Sequence, residues 1–282
     1  MFFNFGAKAD ELADGAKLPA VTVNDQDGRA VDLAAEGSQG WTLVYFYPKA
    51  DTPGCTKQAC SLRDAYVQLG EKGVKVFGVS TDDVAANLAT CRRLAAVAAD
   101  GGAQVIVLPE CFAFLGQREG DKMKAAEVID AAAPGPILSC LLELATRHRA
   151  LVVGGGMPEV VAGDPARSYN TAVAVGPDGA LVACYRKIHL FDVDIPGGAT
   201  LRESDAAAPG DAGLVVRTHG VALGITICYD VRFPELYRRL WHAGADVLLV
   251  PAAFTAHTGA AHWHLLLRTR AIENQAYVVA AA

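Results

Sequence analysis

Short apolar runs alternate along this chain with longer runs of helical periodicity. Apolar runs of about 4–8 residues between turn residues are typical of buried strands, whereas apolar residues three and four apart are typical of helices. The order is mixed after residue 150, which predicts an α/β fold without a purely parallel sheet. Strands are predicted near residues 20–24, 42–47, 74–79, 103–108, 150–154, 171–175, 181–188, 214–218, 221–228, 246–250 and 276–280, and helices near 56–70, 84–100, 136–148, 232–243 and 262–274.

Composition excludes several classes of protein. Hydrophobic residues make up 52% of the 282 residues, enough for the core of one large domain or two modest ones. The sequence has neither the run of about 18 apolar residues of a membrane span nor a basic, apolar signal peptide. A net charge of −6 without basic runs argues against a nucleic-acid partner. Seven scattered cysteines predict a reducing, cytoplasmic location.

One apolar run ends abruptly at Cys228 and continues as a polar, helix-compatible segment over residues 229–235. A thiol at this kind of junction is well placed to act as a nucleophile. The start of a helix favours the thiolate, and a tight strand-to-helix turn lifts the sulfur out of the core. The alternative is a buried structural cysteine, which is a common location for this residue.

Two further predicted strands carry charged residues. The strand at 103–108 leads into Glu110, and the strand at 181–188 carries Lys187 among apolar neighbours. Taken singly, Glu110 could be a surface charge and Lys187 a lysine whose stem alone is buried. Together with Cys228 they form a set of Glu, Lys and Cys at strand ends.

This set and its flanking residues resemble the nitrilase superfamily of carbon–nitrogen hydrolases. The matching motifs are Leu-Pro-Glu-Cys-Phe at 108–112, Tyr-Arg-Lys-Ile-His-Leu-Phe-Asp-Val-Asp-Ile-Pro-Gly at 185–197, and the segment around Cys228. The resemblance runs from about residue 84 to residue 282. It implies a four-layer α-β-β-α sandwich, an architecture that periodicity alone does not predict.

Hydrolysis of an amide by a thiol needs a base, a group that stabilises the oxyanion, and an acid for the leaving amine. We therefore expect Cys228 to be the nucleophile, Glu110 the general base and acid, and Lys187 the oxyanion stabiliser. The resemblance implies a second glutamate that orients the lysine, and Glu203 lies where the pattern places it. The alternative for Glu203 is an exposed loop charge.

Further segments look like the omega-amidase and deaminated-glutathione-amidase branch, which cleaves terminal amides of small α-keto-acid amides and releases ammonia. They include Ser-Tyr-Asn-Thr at 168–171 and the segment at 254–263. Arg232 is a candidate for binding a substrate carboxylate, because a guanidinium group can bind it through two hydrogen bonds; the alternative is a structural ion pair. The remaining candidates for the pocket, which could instead be core residues, are Tyr229, Phe254, Thr255 and His262.

The N-terminal part carries a second signature. An apolar strand at 42–47 precedes Pro48, Thr52 and Cys55, and an amphipathic helix follows at 56–70, with Cys60 five residues after Cys55. This pattern looks like a peroxiredoxin of the bacterioferritin-comigratory-protein type over about residues 18–83. The resemblance implies that Cys55 is the peroxidatic thiol and Cys60 the resolving thiol. Residues five apart on a helix are too distant for a disulfide, so that turn would have to unwind.

Both signatures are partial. The segment at 1–83 lacks the second half of a thioredoxin-like fold, and the hydrolase-like segment at 84–282 lacks its opening strand and its final part. We expect residues 74–79 to supply that opening strand beside 103–108, so that the two domains share it. The chain is thus interpreted as a fusion of a partial thioredoxin-like unit and a C-terminally truncated nitrilase-like sandwich.

The predicted function is cysteine-dependent hydrolysis of a small, carboxylate-bearing amide through a thioester, without metal or cofactor. The alternatives are a thiol peroxidase that uses Cys55 and Cys60, and an inactive fusion. The predicted partners are a small-molecule amide, a second copy of the chain, and a thioredoxin-type reductant for the N-terminal thiols.

Overall fold

The computed structural model describes four strands in the N-terminal part and most of the chain from residue 84 onward. The described residues are Thr22–Asn24, Ala30–Asp32, Thr42–Tyr47, Lys75–Ser80, 84–115, 119–194, 200–254 and 256–282. The chain forms two compact units, one of residues 1–47 and 54–80 and the other of residues 48–53 and 81–282.

Two pairs of strands are described in the first unit. Strands β1 (Thr22–Asn24) and β2 (Ala30–Asp32) pair antiparallel, and β3 (Thr42–Tyr47) and β4 (Lys75–Ser80) pair parallel along their whole length. The predicted helix at 56–70 lies outside the described residues.

The expectation that residues 74–79 lie beside 103–108 stays a prediction. The described partner of β4 is β3, whereas β5 (Val105–Val107) pairs with β6 (Leu151–Val160). The division of the chain into domains at residues 83 and 84 stays a prediction.

The second unit begins with α1 (Val84–Asp100), β5, and α2 (Pro136–His148), which matches the predicted helices at 84–100 and 136–148. The remaining elements follow in chain order: β6, β7 (Ser168–Val175), β8 (Leu181–Arg186), β9 (Asp192–Asp194), β10 (Thr200–Arg202), β11 (Ala207–Ala208), β12 (Leu214–Thr218), β13 (Val221–Ile225), α3 (Pro234–His242), β14 (Val247–Pro251), α4 (Ala256–Asn274) and β15 (Tyr277–Ala281). Helix α4 begins six residues earlier than predicted.

These strands form two main sheets. In the first, β6 lies between β5 and β7, and the other edge of β7 carries β11 near its start and β8 farther along. The second has the order β12-β13-β14-β15, antiparallel at β12 and parallel elsewhere. A short antiparallel hairpin of β9 and β10 lies outside both sheets.

Alternate residues of the strands divide the core into three layers. Val152 of β6 packs in a cluster with α1 and α2, whereas its neighbours Leu151 and Val153 pack against β13 of the second sheet. Leu248 of β14 packs on the other side, in a cluster with α3 and α4. The order is therefore helices, sheet, sheet, helices, and the predicted α-β-β-α sandwich is confirmed.

The three glycines at 154–156 lie inside β6 at a bulge in its pairing with β7. They are needed because neighbouring atoms leave no room for side chains. A Cβ at Gly155 would overlap the carbonyl oxygen of Leu108 and the side chain of Pro251, and one at Gly156 would lie 2.6 Å from Asn170 Oδ1. The glycine run therefore marks a close approach of the backbones and not a turn.

Among the described residues, no helix has both the length and the apolar character required to cross a membrane.

Candidate active site

The ends of four strands in the two facing sheets bring the predicted catalytic residues together. Glu110 follows the carboxyl end of β5, Lys187 follows β8, and Cys228 follows β13, while the backbone of Ala253 follows β14. The carboxyl ends of strands are a usual location for active sites in α/β folds, because the loops there can carry polar groups over a rigid sheet.

Glu110 is held by four donors although only 8% of it is exposed. Its Oε1 accepts hydrogen bonds from Lys187 Nζ at 3.0 Å and Asn170 Nδ2 at 2.9 Å, and its Oε2 accepts one from the backbone N–H of Ala253 at 2.9 Å. The Cys228 thiol is its fourth partner. The carboxylate is thus satisfied on both oxygens, as a buried charge requires.

Lys187 is 2% exposed and lies between two carboxylates. Its Nζ donates to Glu203 Oε2 at 2.9 Å and to Glu203 Oε1 at 3.1 Å, in addition to Glu110. Glu203 is itself buried, and its Oε2 also accepts the backbone N–H of Phe191 at 2.7 Å. The alternative that Glu203 is an exposed loop charge is therefore wrong.

The charges of this network stabilise one another. Burial alone would raise the pKa of Glu110, but the positive charges of Lys187 and Lys122 and hydrogen bonds from Cys228 and Lys187 outweigh it, so that its pKa is lowered. Burial alone would lower the pKa of Lys187, but the charges of Glu110 and Glu203 raise it well above its usual range. At neutral pH Glu110 is therefore a carboxylate and Lys187 an ammonium group.

Cys228 lies at the first position of a 3₁₀ turn, Cys228–Arg232, with its backbone in the left-handed region at φ +46°. Such a conformation is strained for a residue with a side chain and is frequent at functional sites. Only 9% of the residue is exposed. Its sulfur contacts Glu110 and the backbone N–H of Ala253.

The expectation that a helix start would favour the thiolate is wrong for the resting site. Burial is the largest cause that raises the pKa of Cys228 well above its usual range, and the negative charge of Glu110 adds to it. The reason is local: the five-residue 3₁₀ turn separates the thiol from α3, which begins only at Pro234. The resting nucleophile is a thiol with a carboxylate beside it.

A cavity of about 140 Å³ opens onto the sulfur. Of the predicted substrate-binding residues, Tyr229, Arg232 and Phe254 line it, and the guanidinium carbon of Arg232 lies 5.7 Å and 5.5 Å from the centres of their two rings. His262 lies outside the lining and contacts Arg232 through its Nδ1 at 3.4 Å. Thr255 is outside the described residues.

The proposed alternative for Arg232, a structural ion pair, finds no partner, since no described carboxylate forms a salt bridge with it. Sequence reasoning missed Asn170 as a site residue, although its motif was noticed, because its contact with Glu110 is a tertiary contact that needs the space left by Gly156. It also missed Cys111 and Lys122, which line the cavity beside Glu110. The adjacency of Cys111 to Glu110 was the signal that could have found it.

The residues of the alternative peroxidase site, which are Pro48, Thr52, Cys55 and Cys60, all lie outside the described residues. The five described cysteines are free thiols.

Comparison with known families gives two matches. The sequence profile of the carbon–nitrogen hydrolase family matches residues 65–282, and that of the AhpC/TSA family matches residues 15–109. The two matches overlap at 65–109, so they assign the region around β4 and α1 to both families.

Individual relatives agree with the first match. The chain is 45% identical over 206 residues to a deaminated glutathione amidase of Synechocystis, covering 72% of this chain and 74% of the relative. It is 40% identical over 224 residues to human omega-amidase NIT2, covering 79% and 74%. The crystal structure of the C. elegans NitFhit protein matches with a TM-score of 0.65 at 39% identity, over 71% of this chain and 48% of that one, so the chain spans about half of its length.

Proposed function

This chain belongs to the carbon–nitrogen hydrolase family, and we propose that it hydrolyses the C–N bond of a small, carboxylate-bearing amide through a thioester on Cys228. The observation that carries the proposal is the buried contact of one thiol, one ammonium group and two carboxylates beneath a cavity. The family relatives are named amidases, and their activity supports the same reaction here.

The first half of the reaction forms the thioester. Glu110 takes the thiol proton while the sulfur attacks the amide carbon, and Lys187 stabilises the oxyanion that forms. The C–N bond then breaks as Glu110 gives its proton to the leaving nitrogen, which departs as ammonia. Because the resting thiol is protonated, attack depends on the carboxylate beside it.

The second half hydrolyses the thioester. Glu110 takes a proton from water, the hydroxide adds to the carbonyl carbon, and Lys187 again stabilises the oxyanion. The C–S bond then breaks, the acid product leaves, and the sulfur regains a proton from Glu110. Glu203 keeps Lys187 in place, since an ammonium group at this depth needs a fixed partner on its other side.

The substrate is proposed to carry a carboxylate that binds Arg232. The guanidinium group lies between two aromatic rings at the cavity, where it can present two parallel N–H donors to a carboxylate. An α-keto-acid amide has such a carboxylate, and the cavity of about 140 Å³ suits a small molecule.

The test measures ammonia release from the terminal amide of a short α-keto acid. The comparison compound is the same amide with its carboxylate converted to the methyl ester. Cys228→Ala should lower kcat more than about 10³-fold, because the nucleophile is lost. Cys184→Ala, which removes an exposed thiol from β8, is the matched control and should leave the rate unchanged. Equal turnover by both variants would refute the assignment of the nucleophile, and equal turnover of acid and ester would refute the role of the carboxylate.

The AhpC/TSA match favours a second candidate function, thiol-dependent peroxide reduction by Cys55 and Cys60 with a thioredoxin-type reductant. Consumption of peroxide that is lost in Cys55→Ser would support it. We further propose that the protein is cytoplasmic, because the described cysteines are free thiols, as in a reducing compartment.

A further inference from the structure

Asp230 is a completely buried carboxylate that the proposed reaction does not use. Its Oδ2 accepts hydrogen bonds from Tyr185 Oη at 2.6 Å and from the backbone N–H of Ile227 at 2.9 Å. Its Oδ1 accepts from the backbone N–H of His189 at 3.1 Å and contacts His189 Nδ1 at 2.7 Å. An aspartate that only capped its own turn would need no more than the bond to Ile227.

These partners belong to the two segments that carry the reacting groups. Tyr185 and His189 lie two residues before and two residues after Lys187, and Ile227 directly precedes Cys228. One carboxylate therefore binds both sides of the lysine segment and the turn that presents the nucleophile. Between these two segments no described backbone–backbone hydrogen bond is found, so the side chain of Asp230 makes the polar connection.

The ring of His189 is fixed by a second contact. It stacks on Phe233 with the ring centres 3.6 Å apart and the planes 8° from parallel. Phe233 directly precedes α3, so this stacking ties the lysine segment to the residue that follows the nucleophile turn. The imidazole thus has one orientation in which Nδ1 points to Asp230.

We propose that Asp230 is a positioning residue that sets the distance between the Cys228 sulfur and the Lys187 ammonium group. The inference rests on the proposed function, in which Lys187 must reach the oxyanion formed by attack of that sulfur. Cys228 has a strained left-handed backbone, and a strained turn persists only where its surroundings hold it. The four hydrogen bonds of Asp230 supply that restraint and at the same time align the turn with the lysine.

The test weakens the connection in steps. Tyr185→Phe removes one donor to Asp230, and His189→Leu removes another together with the ring contact. Each should lower kcat about 10–100-fold with little change in KM, because small misplacements of reacting groups carry a cost of this size. His189→Asn, whose amide nitrogen can occupy the position of Nδ1, should restore most of the rate lost in His189→Leu.

Tyr237→Phe is the matched control. Tyr237 is also fully buried and has one side-chain hydrogen bond, to Thr226 at 2.8 Å, but none to Asp230. Tyr237→Phe should lower the free energy of unfolding as much as Tyr185→Phe does, but it should leave kcat unchanged. Equal loss of kcat in both tyrosine variants, or no difference between His189→Asn and His189→Leu, would overturn the proposal.

A second readout does not depend on turnover. Alkylation of Cys228 by iodoacetamide, followed by mass spectrometry, needs the thiol to pass its proton to Glu110. A displaced sulfur loses that contact, so Tyr185→Phe and His189→Leu should slow the alkylation. Faster alkylation would show that the variants only loosen the fold, and would overturn the proposal. Absence of ammonia release by the wild-type protein would refute the proposed function alone, since the alkylation rates would still decide the role of Asp230.

Discussion

At the scale of single residues, the charge of Lys187 decides how the buried glutamates behave. Without it, Glu110, which is only 8% exposed, would have to take up a proton to remain in the core. With it, the pKa of Glu110 falls even though burial opposes this, and a base that is ionised at neutral pH lies beside a protonated thiol. Before substrate binds, the proton therefore resides on the Cys228 thiol, and Glu110 is ready to accept it.

This charge state predicts the pH dependence of hydrolysis. Activity needs ionised Glu110, whose pKa is lowered, so kcat/KM should stay high as the pH falls and decline only below the ordinary glutamate value of roughly 4.3. Glu110→Gln should lower kcat about 10²–10⁴-fold because the base is lost. Glu143→Gln, at a surface ion pair with Arg92, is the control and should leave kcat unchanged. A decline that begins above pH 5, as it would for a glutamate whose pKa burial raises, would contradict the account.

The stability of the fold should follow the same charges. The lowered pKa of Glu110 means that its contribution is present above the unfolded pKa and is lost as the pH falls through the folded value. The raised pKa of Lys187 means that its contribution is present below its unfolded pKa and is lost as the pH rises through the folded value. Urea titrations should therefore show this network stabilising the protein across the neutral range.

Lys187→Met tests the size of this contribution, because it removes the ammonium group between Glu110 and Glu203. We expect the free energy of unfolding to fall by about 3–5 kcal/mol at pH 7. A decrease in unfolding free energy of less than about 1 kcal/mol would contradict the stabilising role of Lys187.

At the scale of elements, the strand ends were predictable and the backbone contacts behind them were not. The apolar runs before Glu110 and Cys228 predicted the strands because buried strands need continuous apolar residues. The predicted strand at 150–154 ended too early, because composition does not distinguish glycines in a turn from glycines in a strand that packs closely against other backbones, and β6 continues through residues 154–156 to Val160. It also missed the 3₁₀ turn after Cys228, since a short turn and a helix start with similar residues.

Gly155 provides the test at this scale. Gly155→Ala would drive a Cβ into the backbone of the segment that carries Glu110, and should cost about 3 kcal/mol or more of unfolding free energy. Gly120→Ala places its Cβ in open space and should change stability by less than about 0.5 kcal/mol. Chemical denaturation of both variants measures the difference. Similar stabilities would show that β6 does not approach its neighbours as closely as described.

At the scale of the whole molecule, family resemblance predicted what periodicity could not. The alternation of strands and helices allows many α/β folds, and the stacking of two sheets face to face followed only from the motifs around Glu110, Lys187 and Cys228. The pairing of β4 with β3 did not follow from the motifs, because a strand that follows a break between two signatures can pair in either direction along the chain.

The two signatures predict separable activities. Cys55→Ala and Cys60→Ala should leave ammonia release unchanged, because the thiol, ammonium and carboxylate groups of the described site all lie beyond residue 100. The same substitutions should abolish any consumption of peroxide with a thioredoxin-type reductant. Loss of ammonia release in Cys55→Ala would instead place an N-terminal thiol in the amide reaction.

The central claim is that Cys228 attacks the amide carbon, and the acyl-enzyme tests it most directly. Rapid acid quenching during turnover of an α-keto-acid amide, followed by proteolysis and mass spectrometry, should find the acyl group on the peptide that contains Cys228. Hydroxylamine should remove it as the hydroxamate, which is the behaviour of a thioester. An acyl group on the peptide of Cys111, the other thiol that lines the cavity, would contradict the assignment, as would steady ammonia release without an acylated cysteine.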